Sequence, residues 1–501
     1  MSDMRRPLYI IGIDSAAKWI IEELRDSGYR LKGFDGFEEN GFLKEMESTL
    51  PPMTGPAWPS IYTGASPREH GIPDFFKVRK DYGKEVTFYD PSIKPPFWDV
   101  LADNGITSLL VTPAMALQLS KHKEVDMITG FPLPPRFGSE KLRIAAKKYG
   151  FEGEIEDIES GGERVGIEAK IKKGEITLAE ASKEYRENIR KRAMLSLDLM
   201  KKKSYDLVFV CFTETDRMQH FSLNKKEWMS YVGPLYEAIS DFMLEIQAIA
   251  KKREGSVILL SDHGAQPVKE KFLINAWLAR NGYARLNKEI TSESEEKGNV
   301  KYAIRERLMK SKLRSLYHKS PEHVKKVVRK VLQKGFSGGG GGEYTRIHDF
   351  DFDMKQTHAF ASTAYGIMSM VFINDSRFEK GIIKAKEKKR LKAELKAELM
   401  KIRGSDGKQI IKEVIDAEPY YRSERFFIAP DLLVEAAKGY ILDIFNYSNN
   451  TYFMTPEIAK SGDHEREGIL GMLEFCGRRA KPRRKYVVED VYGIVMDHFS
   501  L

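Results

Sequence analysis

Three aspartates stand where a buried strand would end, and two of them have a histidine close by. Asp14 follows the apolar run LYIIGI, and Asp262 follows SVILLS, with His263 directly after it. Asp216 lies a few residues beyond YDLVFVCF, and His220 is four residues further along. Because ligands bind outside the carboxyl ends of the strands in open α/β sheets, we expect these side chains to meet at that edge.

Carboxylates gathered at one edge of a sheet repel one another unless cations hold them. A single aspartate after a strand is commonly a helix N-cap, but three of them, two with a histidine, favour a metal centre. Mixed Asp and His ligands suit zinc, manganese or iron better than calcium, which prefers oxygen ligands alone. The pattern therefore predicts a site for divalent cations with five candidate ligands, Asp14, Asp216, His220, Asp262 and His263.

The stretch PPMTGPAWPSIYTGASPREHGI, residues 51–72, presents a candidate nucleophile. It is crowded with Pro and Gly and has no charge before Arg68, which predicts a loop that exposes a site. Within it we select the hydroxyl of Thr54. In a centre of two cations, one ion lowers the pKa of such a hydroxyl, and the other stabilises the leaving oxygen of a displacement at phosphorus. The alternative is that Thr54 is an ordinary turn residue.

Apolar runs alternate with helical patterns through most of the chain. Continuous apolar runs predict buried parallel strands at residues 8–13, 107–111, 205–212, 256–260, 366–373 and 431–434. Helical spacing predicts helices at residues 16–27, 96–104, 177–203, 228–252, 272–280 and 380–402. Residues 213–220 and the surroundings of His464 are interpreted as polar loops. The alternation predicts the α/β class, with a central, mostly parallel sheet covered by helices on both faces.

Two insertions are predicted within a single large domain that spans residues 1–501. The strand pattern lapses over residues 115–203, where charged residues with helical spacing predict a helical cap. The second insertion, residues 283–357, contains a basic segment and five consecutive glycines, Gly338 to Gly342. A glycine run is typical of a flexible linker, and it lacks the spaced glycines of a phosphate-binding loop.

Composition restricts the class of protein. Apolar residues make up 42% and charged residues 31%, as in soluble globular proteins. No apolar run reaches the roughly 18 residues that suggest a membrane span. The polar start lacks the features of a signal peptide, and the two cysteines are too few for a disulfide framework. We therefore expect a cytoplasmic protein.

The positive charge is concentrated in one segment. Residues 301–334 carry twelve Lys or Arg against two Glu, whereas the whole chain has a net charge of +9. We interpret this segment as a solvated helical hairpin, and the alternative is a contact with a polyanion or an acidic lipid surface. Tyr302 and Tyr317 are its only aromatic residues, which is too few for base stacking, so no stable nucleic-acid partner is expected.

Five motifs together resemble the alkaline phosphatase superfamily. They are GIDS, PPMTGPAWPSIYTGASPREHGI, TETDRMQH, SDHG and GDHEREGI, and they follow the order of that superfamily over nearly the whole chain. They most resemble its branch of type I phosphodiesterases and nucleotide pyrophosphatases. The resemblance implies an alkaline phosphatase-like catalytic domain and the hydrolysis of phosphodiester or pyrophosphate bonds.

The resemblance also implies a role for each candidate residue. One ion would be held by Asp14, Thr54, Asp262 and His263, and the other by Asp216, His220 and His464. Thr54 would be the nucleophile and form a covalent intermediate that water then cleaves. The two ions would be Zn²⁺, with Mn²⁺ as the alternative. His70 lies in a family hallmark at residues 63–71, and we interpret it as a brace for the nucleophile segment.

Some positions depart from that family. Its nucleotide pyrophosphatases carry an Asn near the nucleophile that contacts the phosphate, but no Asn lies between Asn40 and Asn104. This weakens the case for nucleotide substrates, and the backbone N–H of Gly55 is the remaining candidate for an oxyanion contact. The Cys-x-Pro-x-Arg stretch of a sulfatase is absent.

Two other functions stay open from the sequence. A phosphomonoesterase or a phosphomutase-like phosphotransferase would use the same scaffold, although no Arg or Lys lies between Lys44 and Arg68 to clamp a phosphate. The other is a non-enzymatic polyanion-binding protein. Such a protein would not need the complete set of candidate metal ligands, so the presence of that set argues against it. The expected partner is a small phosphodiester or nucleotide, and nothing in the sequence sets an oligomeric state.

Overall fold

The computed structural model describes residues 5–151, 159–160, 163–164, 166–287, 345–346, 351–364, 366–421, 428–448, 451–456, 460–475 and 482–501. The basic segment 301–334 and the glycine run 338–342 lie outside these residues, so what the sequence predicts for them stays a prediction.

Strands and helices alternate through the described part of the chain. The strands are β1 (Leu8–Ile13), β2 (Phe42–Glu47), β3 (Phe76–Val78), β4 (Lys84–Val86), β5 (Ser108–Val111), β6 (Val125–Ile128), β7 (Glu159–Ser160), β8 (Glu163–Arg164), β9 (Leu207–Phe212), β10 (Ser256–Leu260), β11 (Gly264–Pro267), β12 (Glu270–Leu273), β13 (Thr345–Arg346), β14 (Ala359–Ala361), β15 (Met368–Ile373), β16 (Ile411–Asp416), β17 (Leu432–Ala436), β18 (Tyr440–Asp443), β19 (Asn446–Tyr447), β20 (Phe453–Met454), β21 (Gly462–Glu465) and β22 (Glu467–Glu474). The helices are α1 (Lys18–Asp26), α2 (Lys32–Asn40), α3 (Thr54–Thr63), α4 (Pro67–His70), α5 (Phe97–Asp103), α6 (Glu140–Lys148), α7 (Ile167–Lys172), α8 (Leu178–Lys202), α9 (Glu214–Ser222), α10 (Trp228–Lys252), α11 (Ile274–Arg280), α12 (Ala385–Leu399), α13 (Glu418–Tyr421) and α14 (Asp490–His498).

A seven-stranded sheet forms the centre of the fold, in the order β2-β22-β10-β1-β9-β5-β6. The five strands from β10 to β6 are parallel to one another, whereas β22 runs in the opposite direction and pairs antiparallel with both β10 and β2. Every residue of β1 and β9 is buried, as expected of continuous apolar runs in a sheet that is covered on both faces. The predicted α/β class with a mostly parallel sheet is confirmed.

Alternate residues of β1 enter two different cores. Tyr9 and Ile11 pack in a core with α1, α2, α8 and α10, whereas Leu8 and Ile10 pack with α3, α5 and α14. Helices therefore cover both faces of the sheet. A third core surrounds the antiparallel sheet β14-β15-β17-β16 and includes α11 and α12.

The predicted loop at residues 51–72 is wrong, because α3 and α4 occupy most of it. Pro56 is tolerated in the first turn of α3, where backbone N–H groups have no intrahelical acceptor. Pro59 lies further inside, yet all ten residues of α3 are buried. The packing of this helix outweighs the poor helix propensity of its Gly and Pro residues.

Two further loops are regular structure instead. Residues 213–220 were predicted as a loop, but α9 covers nearly all of them. His464 lies in β21, which pairs with β11. The polar residues that suggested solvated loops are largely buried, and Asp216, His220 and His464 among them belong to the candidate site described below.

The sheet also continues where the sequence predicted a cap. β6 is a member of the main sheet, although its four residues, VDMI, include a charge and are too few for a clear strand pattern. Any cap within residues 115–203 thus begins after β6, and the predicted limits of both insertions stay predictions. The helix predicted at 272–280 begins at Ile274, because Phe272 and Leu273 belong to β12. Within the described residues, no helix combines the length and the apolar character that crossing a bilayer requires.

Candidate metal centre

The carboxyl ends of β1, β9 and β10 bring the predicted ligands together. β1 lies between β9 and β10 and pairs in parallel with both. Asp14 directly follows β1, and Asp262 follows β10, so both emerge at the same edge of the sheet. α9 leaves β9 at this edge and carries Asp216 in its first turn and His220 one turn later. β21 brings His464 to the same place from the far end of the chain.

Asp14, Asp262 and His263 form the first candidate cation site. All three are buried, and their ligand atoms lie within 4.8 Å of one another. The Nε2 atom of His263 is 3.2 Å from Asp262 Oδ2 and 3.7 Å from Asp14 Oδ1. Thr54 Oγ1 is 3.2 Å from the same nitrogen. The candidate nucleophile therefore stands at this site.

Asp216, His220 and His464 form the second candidate site. Asp216 Oδ1 is 3.4 Å from His220 Nε2 and 3.5 Å from His464 Nε2, and these two nitrogens are 3.2 Å apart. The rings of His464 and His263 stack with their centroids 3.9 Å apart. The two sites are therefore contiguous, and the structure brings together all seven residues predicted to hold metal.

Three carboxylate oxygens in this centre fit a cation, because they are buried and lack any hydrogen-bond partner among the described residues. They are Asp14 Oδ1, Asp216 Oδ1 and Asp262 Oδ2. A buried acceptor without a partner costs about 1–3 kcal/mol, and more when it is charged. Each of the three oxygens faces the Nε2 atom of a histidine. Divalent cations would satisfy all three, so the residues present fit the metals that the resemblance implies.

The three histidines are oriented alike. Each directs Nδ1 at a backbone carbonyl, at 2.9, 3.1 and 3.0 Å, in the pairs His220 with Gly462, His263 with Gly264 and His464 with Pro52. The Nδ1–H group donates in each pair, so that in the neutral ring the lone pair of Nε2 is directed at the centre. Metal-binding histidines are usually held in this way by a bond from the other ring nitrogen.

The carboxylates perturb one another. Burial raises the pKa of Asp14 well above its ordinary value, and the charges of Asp262 and Asp216 raise it further. Burial raises the pKa of Asp262 to about 7, and Asp216 adds to the effect. Burial opposes ionisation of Asp216 as well, but the imidazoles of His220 and His464 outweigh it and lower the pKa of Asp216. The centre is thus short of positive charge without cations.

Thr54 is the first residue of α3, so it stands at the positive end of a helix dipole. The N–H groups of a first helical turn, here including that of Gly55, have no intrahelical acceptors and suit an anion. A Cβ atom on Gly55 would lie 3.2 Å from the backbone nitrogen of Phe75. Glycine therefore allows the start of α3 to approach Phe75 closely. The oxyanion role of Gly55 stays a prediction.

Trp58 supports the first site in a way the sequence did not reveal. Its indole Nε1 donates to Asp14 Oδ2 at 3.1 Å, and the side chain is fully buried. Trp58 therefore contributes a hydrogen bond to a candidate ligand as well as packing in the core. The one available signal was spacing, since a residue four positions after Thr54 lies one turn along the same face if the segment is helical.

His70 braces the nucleophile helix as the sequence suggested. Its Nε2 atom is 3.0 Å from Ser60 Oγ in α3, and its Nδ1 accepts from the backbone N–H of Ile72 at 3.2 Å. Burial lowers the pKa of His70 to about 3, so the ring is neutral near pH 7. A neutral ring can make both bonds at once.

Asp463 was not selected from the sequence, although it precedes His464. Its carboxylate lies with His220 and His464 in a group whose ligand atoms are within 4.8 Å of one another. Its Oδ2 atom also pairs with Lys460 Nζ at 3.0 Å. Its adjacency to a candidate ligand was the available signal.

Two cavities in the described part of the molecule lie away from the candidate ligands. One of about 630 Å³ lies beside residues 47–50 and α4, and a surface groove of about 640 Å³ includes Lys225 and Lys269. Neither is lined by a candidate metal ligand. The centre is therefore assigned from its chemistry and not from a cavity.

Comparison with known proteins agrees with this chemistry. A sequence model of the type I phosphodiesterase / nucleotide pyrophosphatase family matches residues 8–443. A search of curated protein sequences returned no match. Phosphonoacetate hydrolase from Sinorhizobium meliloti 1021 is similar in structure, at 13% identity in complex with phosphonoformate and 14% in complex with phosphonoacetate. Both alignments have a TM-score of 0.56 and cover 99% of this chain and 96% of that chain. The chain therefore belongs to the type I phosphodiesterase / nucleotide pyrophosphatase family, whose members are metal-dependent phosphoric ester hydrolases.

Proposed function

We propose that this protein hydrolyses phosphodiester or pyrophosphate bonds, with Thr54 as the nucleophile in a centre of two divalent cations. One observation carries the proposal. Three buried carboxylate oxygens without hydrogen bonds converge with three histidine Nε2 atoms beside the Thr54 hydroxyl. This arrangement leaves the carboxylates unsatisfied unless cations are bound, and it puts a hydroxyl within reach of them.

Thr54 carries the reaction. Its hydroxyl gives up a proton to solvent, its oxygen forms a bond to phosphorus, and the bond from phosphorus to the leaving oxygen breaks. A water molecule then cleaves the bond between phosphorus and Thr54, which restores the hydroxyl. The N–H groups at the start of α3, including that of Gly55, donate to the phosphoryl oxygens as their charge grows. Bound cations supply the positive charge that lowers the hydroxyl pKa and stabilises the leaving oxygen.

The proposed ligand sets are those that the family resemblance implies, and the short distances among these side chains support them. One cation is held by Asp14, Thr54, Asp262 and His263, and the other by Asp216, His220 and His464. Zinc suits these mixed Asp and His ligands, and manganese is the alternative. The proposed substrate is a small phosphodiester or a nucleotide-type diester in the cytoplasm.

The test compares three substrates on metal-reconstituted protein of measured metal content. Faster hydrolysis of bis(p-nitrophenyl) phosphate than of p-nitrophenyl phosphate, with two ions per chain, supports the proposal. Preference for p-nitrophenyl phosphate indicates a phosphomonoesterase. Phosphonoacetate is the third substrate because a hydrolase of that compound shares the fold. If the protein takes up no metal during reconstitution and hydrolyses none of the three substrates, the proposal is contradicted and a binding function is favoured.

A further inference from the structure

The hairpin of β3 and β4 carries a concentration of exposed apolar side chains. Ten large apolar side chains are exposed in the described part of the chain, and four of them lie within residues 76–93. They are Phe76 at 42%, Val86 at 48%, Phe88 at 56% and Ile93 at 38%. None of the four belongs to the three cores or packs against them. A single exposed apolar residue is normal on a protein surface, but a group of them marks an interaction site.

The hairpin has one apolar face and one charged face. β3 and β4 pair antiparallel, with Phe76 opposite Val86 and Lys77 opposite Glu85. Because alternate residues of a strand face opposite sides, the apolar pair lies on one face, and the charged pair, joined at 3.0 Å, lies on the other. Phe88 comes two residues after Val86, and the residue between them is buried, so Phe88 adds a second ring to the apolar side. We call Phe76, Val86 and Phe88 the apolar hairpin face.

The rest of the protein holds this hairpin in place. Val78, at the end of β3, is buried in the core around the antiparallel sheet. Tyr82, between the two strands, stacks on Phe378 with the ring centroids 5.0 Å apart. Its hydroxyl donates to Asn374 Oδ1 at 2.8 Å. The apolar hairpin face is therefore presented on a fixed support and is not the tip of a loose loop.

The charges around the apolar hairpin face are mainly positive. Residues 76–94 carry five Lys or Arg against three Asp or Glu. Lys80 and Lys94 are exposed and form no ion pair with another described residue. Two of the three carboxylates, those of Asp81 and Glu85, are each paired with a cation of the hairpin. The charge that is left for a partner is therefore positive, and it suits an acidic surface.

We propose that the apolar hairpin face docks on an acidic lipid surface, with its two rings in the interfacial layer and Lys80 and Lys94 at the lipid headgroups. Aromatic and apolar side chains flanked by lysine are the combination that binds at such an interface. A second copy of this chain suits the face less well. A two-fold contact brings a surface against itself, so the unpaired lysines would oppose one another.

Docking on lipid would also bring the candidate centre to the membrane surface. The hairpin begins directly after Phe75. A Cβ atom on Gly55 would lie 3.2 Å from the backbone nitrogen of Phe75 and 3.6 Å from its ring, and Gly55 directly follows Thr54. The phosphodiesters of lipid headgroups are then candidate substrates. This consequence rests on the proposed function, whereas the docking itself does not.

The experiment measures co-sedimentation of the purified protein with two kinds of vesicle, phosphatidylcholine alone and equal parts of phosphatidylcholine and phosphatidylglycerol. The test variant is Phe76→Ser/Phe88→Ser, which changes only exposed side chains. The matched control is Ile144→Ser/Met194→Ser, because these side chains are 59% and 46% exposed on other elements, α6 and α8. The melting temperature of each variant shows whether it is folded, and light scattering gives its mass in solution.

We expect wild type and the control to bind acidic vesicles more tightly than neutral ones. The test variant should bind acidic vesicles at least about tenfold more weakly, since burial of one phenylalanine alone is worth about that much. Lys80→Gln/Lys94→Gln keeps the apolar hairpin face and should weaken binding to acidic vesicles by about fivefold for each charge removed. It should bind neutral vesicles as wild type does.

Three results overturn the inference. The first is a wild-type protein that binds neither kind of vesicle, and a lower mass of the test variant in solution would then assign the face to a second copy. The second is equal binding by the test variant and the control, which would place the lipid contact elsewhere in the chain, for example in the basic segment 301–334. The third is equal affinity of wild type for both vesicles, which would exclude a preference for acidic lipid. Failure to hydrolyse any ester would refute only the proposed function, because vesicle binding is measured without turnover.

Discussion

Trp58→Phe tests whether the nucleophile helix also orients a metal ligand. The indole of Trp58 donates to one oxygen of Asp14 at 3.1 Å, while the other oxygen has no hydrogen-bond partner among the described residues. Phenylalanine keeps an aromatic ring in the same core but removes the donor. Asp14 would then lose the hydrogen bond that fixes the direction of its free oxygen.

The size of the effect follows from the role of such a bond. Hydrogen bonds that orient metal ligands are worth about 10–100-fold in metal affinity, and a tenfold change corresponds to about 1.4 kcal/mol. The indole is also fully buried, so the smaller ring leaves space unfilled. Together with the lost bond to a carboxylate, this should lower the free energy of unfolding by about 1–3 kcal/mol.

The assay is a competition for zinc between the metal-free protein and a chromogenic chelator at neutral pH. Trp98→Phe is the control, because Trp98 is buried in the same core but has no hydrogen bond to a candidate ligand in the described structure. We expect Trp58→Phe to bind zinc about 10–100-fold more weakly, and Trp98→Phe to bind it as wild type does. Equal zinc affinity in the two variants would show that the bond from Trp58 does not orient Asp14 for metal binding.

Three more predictions concern the supports of the centre. In metal-free protein, folding raises the pKa of Asp262 from 3.8 to about 7, so the folded state keeps a proton that the unfolded state releases, and stability falls as the pH rises through that window. The stability of metal-free Asp262→Asn relative to metal-free wild type, measured by urea unfolding, should therefore rise by about 2–3 kcal/mol from about pH 5 to pH 8. The same stability difference at both pH values would contradict this. Glu214 pairs with Arg192 at 2.7 Å, and both side chains are at 0% exposure. Glu214→Ala should lose about 3–5 kcal/mol of unfolding free energy because it leaves the charge of Arg192 buried without this partner, and the double variant Arg192→Met/Glu214→Leu should be more stable than the single variant. A double variant less stable than Glu214→Ala would rule out a buried charge as the cause. His70→Ala removes the bond to Ser60 and should lower kcat without changing metal content. The control is His122→Ala, at a half-exposed surface position, which should behave as wild type. Loss of metal in His70→Ala would show that His70 supports the metal ligands and not only the nucleophile helix.

The aspartates at the strand ends could be predicted from the sequence for a simple reason. LYIIGI and SVILL are too uniformly apolar to be anything but buried elements, and strands that run in parallel deliver the next residues to one edge of the sheet. The sequence therefore predicts that Asp14 and Asp262 lie close together, although no contact between them is known at that stage. His263 followed from its adjacency to Asp262.

The helix that carries Thr54 could not be predicted in this way. Its Gly and Pro residues argue locally against a helix, and it exists because all ten of its residues are buried against the rest of the protein. Such packing depends on residues far away in the chain, among them Phe209 beside Trp58. Local propensity gave the wrong structure for the segment. The Thr54 hydroxyl selected within it lies beside the candidate centre, and its role as nucleophile stays a prediction.

The contacts that hold the site residues in place could not be predicted from the sequence for the same reason. His464 reaches the centre because β21 pairs with β11, about two hundred residues earlier in the chain, and its short polar sequence has no strand pattern of its own. The bond from Trp58 to Asp14 and the stacking of Arg217 on Phe131 also join distant parts of the sequence. Residue types indicated the chemistry, but these contacts required the structure.

The role of Thr54 as nucleophile is tested by the turnover of bis(p-nitrophenyl) phosphate by Thr54→Ala and Thr54→Ser at matched metal content. Removal of a catalytic nucleophile commonly costs about a thousandfold or more in kcat. We expect that loss in Thr54→Ala, and we expect Thr54→Ser to keep measurable turnover because it retains a hydroxyl at the start of α3. Turnover by Thr54→Ala within about tenfold of wild type, with both metals bound, would show that Thr54 is not the nucleophile.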